Sequence, residues 1–191
     1  MSLLGRIFQK NKNKVKKATI TLVGPSMAGK TTLVKYLETG EEVTGNYGTT
    51  LGIEVRKESV NIDGWKLTAI DTGGQELYQQ SFWEMAITQA DALIFMIDAT
   101  ISKKENPEMY NISVHQFAYA LDILPEGIPL LVLLNKQDLI DKNPMSATEA
   151  IKILNFNHVL FSTAYLPISA KFGDGVIPAI EWLIDQLEKI V

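Results

Sequence analysis

The 191 residues include no cysteine, which excludes disulfides, thiolate zinc sites, palmitoylation and C-terminal prenylation. That absence fits a reducing compartment. No apolar stretch is long enough to span a bilayer. Ser2 stands where N-myristoylation needs glycine, so no lipid anchor is expected there. The two histidines, His115 and His158, have no partners at catalytic spacing, and Asp91 and Glu126 have no pairing suited to acid–base work. Trp65, Trp83 and Trp182 read as packing residues. Repeats, low-complexity tracts and interdomain linkers are all missing. So is any acidic residue in the first seventeen positions.

Those seventeen positions instead carry Arg6, Lys10, Lys12, Lys14, Lys16 and Lys17, with Leu3, Leu4, Ile7 and Phe8 at helical spacing. The remaining 12 basic residues face 22 acidic ones, a body charge of −10. A basic amphipathic segment (1–17) on an acidic domain (18–191) has two open readings. It binds an anionic membrane surface through its apolar face and lysines, or it packs on the body or is simply disordered. No nucleic-acid partner is expected. A hydrophobic fraction of 46% and a charged fraction of 21% suit a single globular domain with a full core.

Along that domain, strand-like runs alternate with helical ones, which predicts an α/β fold with a mostly parallel sheet. Strands are expected over 18–23, 53–62, 65–70, 92–98, 129–134 and 165–168. Asp63-Gly64 has the residues of a type I′ hairpin turn between the second and third runs. Helices are expected over roughly 30–38, 76–89, 109–124 and 175–190. A shorter one opens at Ser146-Ala147-Thr148-Glu149, a capping-box pattern.

Gly24-Pro25-Ser26-Met27-Ala28-Gly29-Lys30-Thr31 matches G-x-x-x-x-G-K-[ST] between a strand and a helix, the context that motif requires. Its glycines let backbone N–H groups, those of Ser26, Met27 and Ala28 included, approach phosphate oxygens. Lys30 supplies charge at the β- and γ-phosphates, and Thr32 follows on the helix. The Thr31 hydroxyl suits Mg²⁺. Asp71, at a strand's C-terminal end, reads as a further partner of Mg²⁺, through water. Gly73-Gly74 permits close approach to a γ-phosphate, and Gln75 then has the role of orienting an attacking water. Thr49 and Thr50 lie in the loop before the hairpin; Thr50 is preferred as the hydroxyl that completes the metal shell.

Asn135-Lys136-Gln137-Asp138 ends the apolar run 129–134. An Asp carboxylate there accepts two hydrogen bonds from the guanine ring N–H and amine, whereas adenine leaves it unpaired. This disfavours a P-loop ATPase. Ser169-Ala170-Lys171 follows the last short strand, where the Ala170 N–H would reach guanine O6.

With these motifs in order, the chain resembles the Ras-like small GTPase superfamily from about Thr19 to Leu187. Asp71-Thr72-Gly73-Gly74-Gln75, Asn135-Lys136-Gln137-Asp138-Leu139, Thr50-Leu51-Gly52-Ile53 and the amphipathic N-terminal segment are similar to the Arf branch. The resemblance implies a P-loop NTPase G domain. Its sheet would have six strands, mostly parallel with one antiparallel edge strand, and helices on both faces. It further implies a GDP/GTP switch with exchange factor, GTPase-activating protein and effector as partners. In Arf proteins the hairpin between the switches, here 53–70, slides in the GTP state and expels the N-terminal helix.

Four departures stand out: Ser2 for the myristoylated glycine, Ser26 for an Asp, Ser169-Ala170-Lys171 in the Ras and Rab form, and one extra residue between Gln75 and Asp98. With the missing lipid sites, they point to a divergent member, prokaryotic or archaeal. No arginine stands near the P-loop or Gln75; the nearest, Arg56, falls in the hairpin. Hydrolysis is therefore expected to be slow without an activating partner. The expected place is the cytoplasm, peripheral at a membrane if the basic segment binds one. The rival reading is a GTP-loaded scaffold that scarcely hydrolyses, for which Ser26 leaves room.

Overall fold

The computed structural model describes residues 18–45, 56–62, 65–71, 76–154 and 162–190. Among them are strands β1 (Thr19–Val23), β2 (Arg56–Ile62), β3 (Trp65–Asp71), β4 (Ala92–Asp98), β5 (Leu130–Asn135) and β6 (Thr163–Pro167). The helices are α1 (Lys30–Thr39), α2 (Glu76–Ile87), α3 (Pro107–Ile123), α4 (Ala147–Leu154) and α5 (Val176–Ile190). The strands form one sheet in the order β2-β3-β1-β4-β5-β6, and every neighbouring pair is parallel except β2 with β3. The expected six-stranded sheet with one antiparallel edge strand is thus observed.

The central strands are continuous apolar runs because both faces of the sheet are covered. Side chains alternate between the faces. Ala92, Ile94 and Met96 of β4 join Leu33, Val34 and Leu37 of α1 and Ile180, Leu183 and Leu187 of α5 in one core. Leu93, Phe95 and Ile97 face the other way, onto Trp83 and Ile87 of α2, Phe117 of α3 and Leu154 of α4. Phe95 meets the Trp83 and Phe117 rings edge-on, at 6.2 and 5.0 Å between centroids. Trp83 is the packing residue expected, and Trp182 packs against the first core. Asp91 is structural too: its carboxylate accepts from the Thr19 N–H at 2.6 Å and its own N–H donates to Thr19 O, clasping β1 to the start of β4.

Boundaries shift by a few residues. Helix α3 opens at Pro107 rather than at 109, because Asn106 caps it by accepting from the Met109 N–H at 3.1 Å and Pro107 fits its first turn. Helix α2 stops at Ile87, not at 89. Strand β6 spans Thr163–Pro167 rather than 165–168. The capping box at α4 forms as expected, with the Ser146 N–H donating to Glu149 Oε2 (2.8 Å) and the Glu149 N–H to Ser146 Oγ (3.3 Å). The 1–17 segment, the Asp63-Gly64 turn and His158 lie outside the described residues. No helix among the described residues is long and apolar enough to cross a membrane.

Candidate nucleotide-binding site

Strands β1, β3, β4, β5 and β6 run parallel, so the loops that follow them gather at one sheet edge. The chain order reverses direction at β1, which has β3 on one side and β4 on the other. Such a switch point is where open α/β sheets bind ligands. The loop after β1 is Gly24–Gly29, the phosphate-loop motif.

That loop is shaped by its backbone. Gly24 has φ 146°, and a Cβ there would strike the Met96 carbonyl. Gly29 has φ 100°, and a Cβ there would strike the Asn135 amide. Between them Met27 takes φ 62°, a left-handed conformation unusual for a residue with a Cβ, and its side chain is 65% exposed. Gly29 caps α1 without any side-chain hydrogen bond, and no acidic residue stands in the first turn. The first amides of α1 therefore keep their positive potential for an anion. Lys30 is buried, 6% exposed, and its ammonium donates to Gly24 O and Pro25 O, both at 2.9 Å. The charge is thereby fixed inside the loop. Thr31 and Thr32 follow on the first turn of α1, half-buried.

The loops after β5 and β6 make the second end. Asn135 is buried; its Nδ2 donates to Ala28 O at 2.8 Å and its Oδ1 accepts from the Ala170 N–H at 2.8 Å. One side chain thus ties the phosphate loop to the Ser169-Ala170-Lys171 loop. The Ala170 N–H, read from the sequence as reaching guanine O6, donates in this structure to Asn135, whose buried oxygen needs a donor. This bond also makes Asn135 a brace between loops. Asp138 Oδ1 accepts from Ser169 Oγ at 2.8 Å, and Ser169 Oγ in turn accepts from the Phe172 N–H at 3.3 Å. A carboxylate has room for further donors on both oxygens, so the oriented Asp138 suits a pair of base N–H groups. Gln137, the variable position of the motif, turns away to Leu134 O and Met145 O. Lys171 is exposed, with its ammonium 4.6 Å from the Phe172 ring centroid, and its carbonyl accepts from the Val43 N–H at 3.0 Å.

Lys136 takes φ 70° and its ammonium lies 2.6 Å from Asp98 Oδ2. The sequence reading treated Asp98 only as a strand end. The signal was present as Asp98-Ala99-Thr100, an acidic residue whose side chain can turn back on the backbone two residues ahead.

Asp71 ends β3 at this same edge. By strand register it pairs with Arg56, the first residue of β2. Arg56 therefore belongs to the site's edge of the sheet, not to the far turn of the hairpin. Thr49, Thr50, Gly73, Gly74 and Gln75 lie outside the described residues. Thr31 and Asp71 offer only hard oxygen donors, the set that fits Mg²⁺.

A phosphate loop at one end and a braced Asn-Lys-x-Asp turn at the other define a GTP-binding P-loop domain of the small GTPase class. The chain belongs to the ADP-ribosylation factor family, whose model matches residues 4–187. It is 31% identical over 182 residues to ADP-ribosylation factor-like protein 3 of Chlamydomonas reinhardtii, covering 93% of this chain and 94% of that protein. It is 33% identical over 187 residues to an ADP-ribosylation factor of Encephalitozoon cuniculi, covering 90% and 84%. In fold it is similar to the Arl6 BBS3 small GTPase of Trypanosoma brucei, solved with the nucleotide analogue GppNp. That likeness has a TM-score of 0.72 at 22% identity and covers 91% of this chain and 99% of the other. These relatives are eukaryotic, so they lend no support to the expected prokaryotic or archaeal origin.

Proposed function

We propose that this chain is a GDP/GTP switch that hydrolyses GTP slowly by itself and depends on Mg²⁺. The observation that carries it is the pair of hydrogen bonds at Asn135, one donated to Ala28 O and one accepted from the Ala170 N–H. A brace between the phosphate loop and the loops of the base motif supports the reading, because one nucleotide must span both. Lys30 and the first amides of α1 receive the β- and γ-phosphates. Asp138 reads the guanine edge. Thr31, Thr50 and Asp71 are the residues that would hold Mg²⁺, which when bound neutralises charge between the β- and γ-phosphates. Gln75 orients the water for in-line attack. With Arg56 as the nearest arginine, turnover depends on a partner that completes the charge stabilisation; a supplied arginine is worth roughly 10³–10⁵ in rate. Exchange factor, GTPase-activating protein and effector are the partner classes such a switch needs. The basic 1–17 segment supplies contact with anionic lipid, making the protein cytoplasmic and peripheral at a membrane.

Single-turnover GTP hydrolysis tests the reading. Gln75→Leu is expected to slow the chemical step while leaving GTP affinity in place; equal rates would remove Gln75 from the mechanism. Nucleotide extracted from the purified protein distinguishes the scaffold reading, for which persistent GTP is the signature. Sedimentation with anionic vesicles, with and without residues 1–17, tests the membrane contact; equal binding by the two forms counts against it.

A further inference from the structure

We propose that Asp98 is a positioning residue for nucleotide retention, holding Lys136 and with it the base-reading turn. The proposal rests on the guanine-nucleotide reading above. In the parallel pairing of β4 with β5, Asp98 stands directly beside Asn135, the first residue of the base motif. The backbone joins them again one residue on, where the Ala99 N–H donates to Asn135 O at 2.9 Å.

The Asp98 carboxylate is itself locked. Its Oδ1 accepts from both the Thr100 N–H (2.9 Å) and Thr100 Oγ1 (2.6 Å), which leaves Oδ2 aimed at Lys136 Nζ, 2.6 Å away. The two side chains are 12% and 27% exposed, so water screens the pair less than it screens a surface pair. Lysine has a flexible four-carbon stem that takes many rotamers when its end is free. Anchored at Asp98, that stem reaches from the base motif to the end of β4, and both residues line a cleft of about 560 Å³ together with Ser26 and Met27. Lys136 leaves β5 in a left-handed conformation, two residues before Asp138. Without the anchor, stem and turn gain freedom that nucleotide binding must remove again. The loss falls on the dissociation rate. Base choice stays with Asp138.

The test is release of N-methylanthraniloyl-GDP from the full chain, chased with excess GDP. Asp98→Asn keeps the shape and the acceptor toward Thr100 but removes the charge facing Lys136. It is expected to release nucleotide about tenfold faster, the scale of one hydrogen bond to a charged group. The preference for guanine over adenine nucleotide is expected to persist. Asp98→Glu should recover part of the retention, which a purely steric role would not allow. Lys136→Met should match Asp98→Asn, and the double variant should release no faster than either single one, because both act on one interaction. Wild-type release from Asp98→Asn, or effects of the two substitutions that multiply, would overturn the proposal. Failure of the underlying reading is a separate outcome, seen when the unaltered protein retains the ADP derivative as long as the GDP one.

Discussion

The base end and the phosphate end of this site are made of different materials. At the base end the geometry belongs to side chains: Asn135 bridges two loops, Ser169 orients Asp138, and Asp98 holds Lys136. At the phosphate end it belongs to the backbone, through positive φ at Gly24, Met27 and Gly29 and a helix start without a side-chain cap. Even Lys30 spends two of its protons on carbonyls of its own loop. The division follows from the ligands. A base is told from another base by one donor–acceptor pattern, which a side chain can match. A polyphosphate presents many equivalent oxygens, which a row of N–H groups surrounds best when no Cβ stands in the way.

The comparison breaks hardest at Asn135, the residue shared by both ends. Asn135→Ala leaves Ala28 O and the Ala170 N–H without their partner in a buried place, at about 1–3 kcal/mol each. A loss of about 4 kcal/mol in urea unfolding is expected, together with loss of affinity for guanine nucleotide and for pyrophosphate alike. If pyrophosphate binding survived unchanged, the two ends would be independent.

Gly29→Ala comes next. It keeps every side chain of the base end but drives a Cβ into the Asn135 amide at a φ of 100°. The expected cost is about 3 kcal/mol, from backbone strain plus the displaced amide. Gly127 makes the control: its φ is also positive, at 81°, but nothing lies within 4 Å of its added Cβ. Gly127→Ala should cost only about 1 kcal/mol. Equal costs at the two positions would show that strain alone, and not the contact between the ends, governs the loop.

Met27 sharpens the same point with the opposite sign. It adopts a left-handed conformation that glycine takes more easily, and its exposed side chain contributes little packing. Met27→Gly should stabilise the fold by about 1 kcal/mol, the relieved strain exceeding the extra chain entropy of glycine. Thermal unfolding measures it.

This division also explains how far the site could be read in the chain alone. Sequence patterns carry residue types at short spacing, so the Gly24–Thr31 loop and the Asn135–Asp138 turn were visible, as were strands such as Leu130–Asn135 whose two buried faces leave an unbroken apolar run. What escaped depends on strand register. Asp98 meets Lys136 only because β4 and β5 pair in a particular alignment, which brings together residues 38 apart. The bond from the Ala170 N–H to Asn135 Oδ1 is equally invisible in the sequence, because it joins loops 35 residues apart. Asn106-Pro107 is a cap written in plain residues, although the apolar periodicity itself begins only at Met109.

The smallest expected effect tests the contrast away from the nucleotide, by setting the open N-terminus of α1 against the closed one of α4. There Ser146 and Glu149 exchange hydrogen bonds, and those bonds from Ser146 lower the Glu149 pKa below the ordinary glutamate value. A carboxyl whose pKa falls on folding stabilises the folded state when it is ionised. Its contribution is fully present above the ordinary glutamate range and is lost as pH falls through that range to the lowered folded value. Glu149→Ala should therefore depress the melting temperature slightly at pH 7, and the gap from the unaltered protein should close as the solution is made more acidic. Ser146→Ala, which removes both the cap to the Glu149 N–H and the hydroxyl bond to its carboxylate, should cost about 1 kcal/mol at pH 7 and keep part of that cost in acid. A gap at Glu149 that did not change with pH would mean that packing, and not the ionised cap, supports this helix start. The side-chain half of the comparison would then hold for the base-reading loops alone.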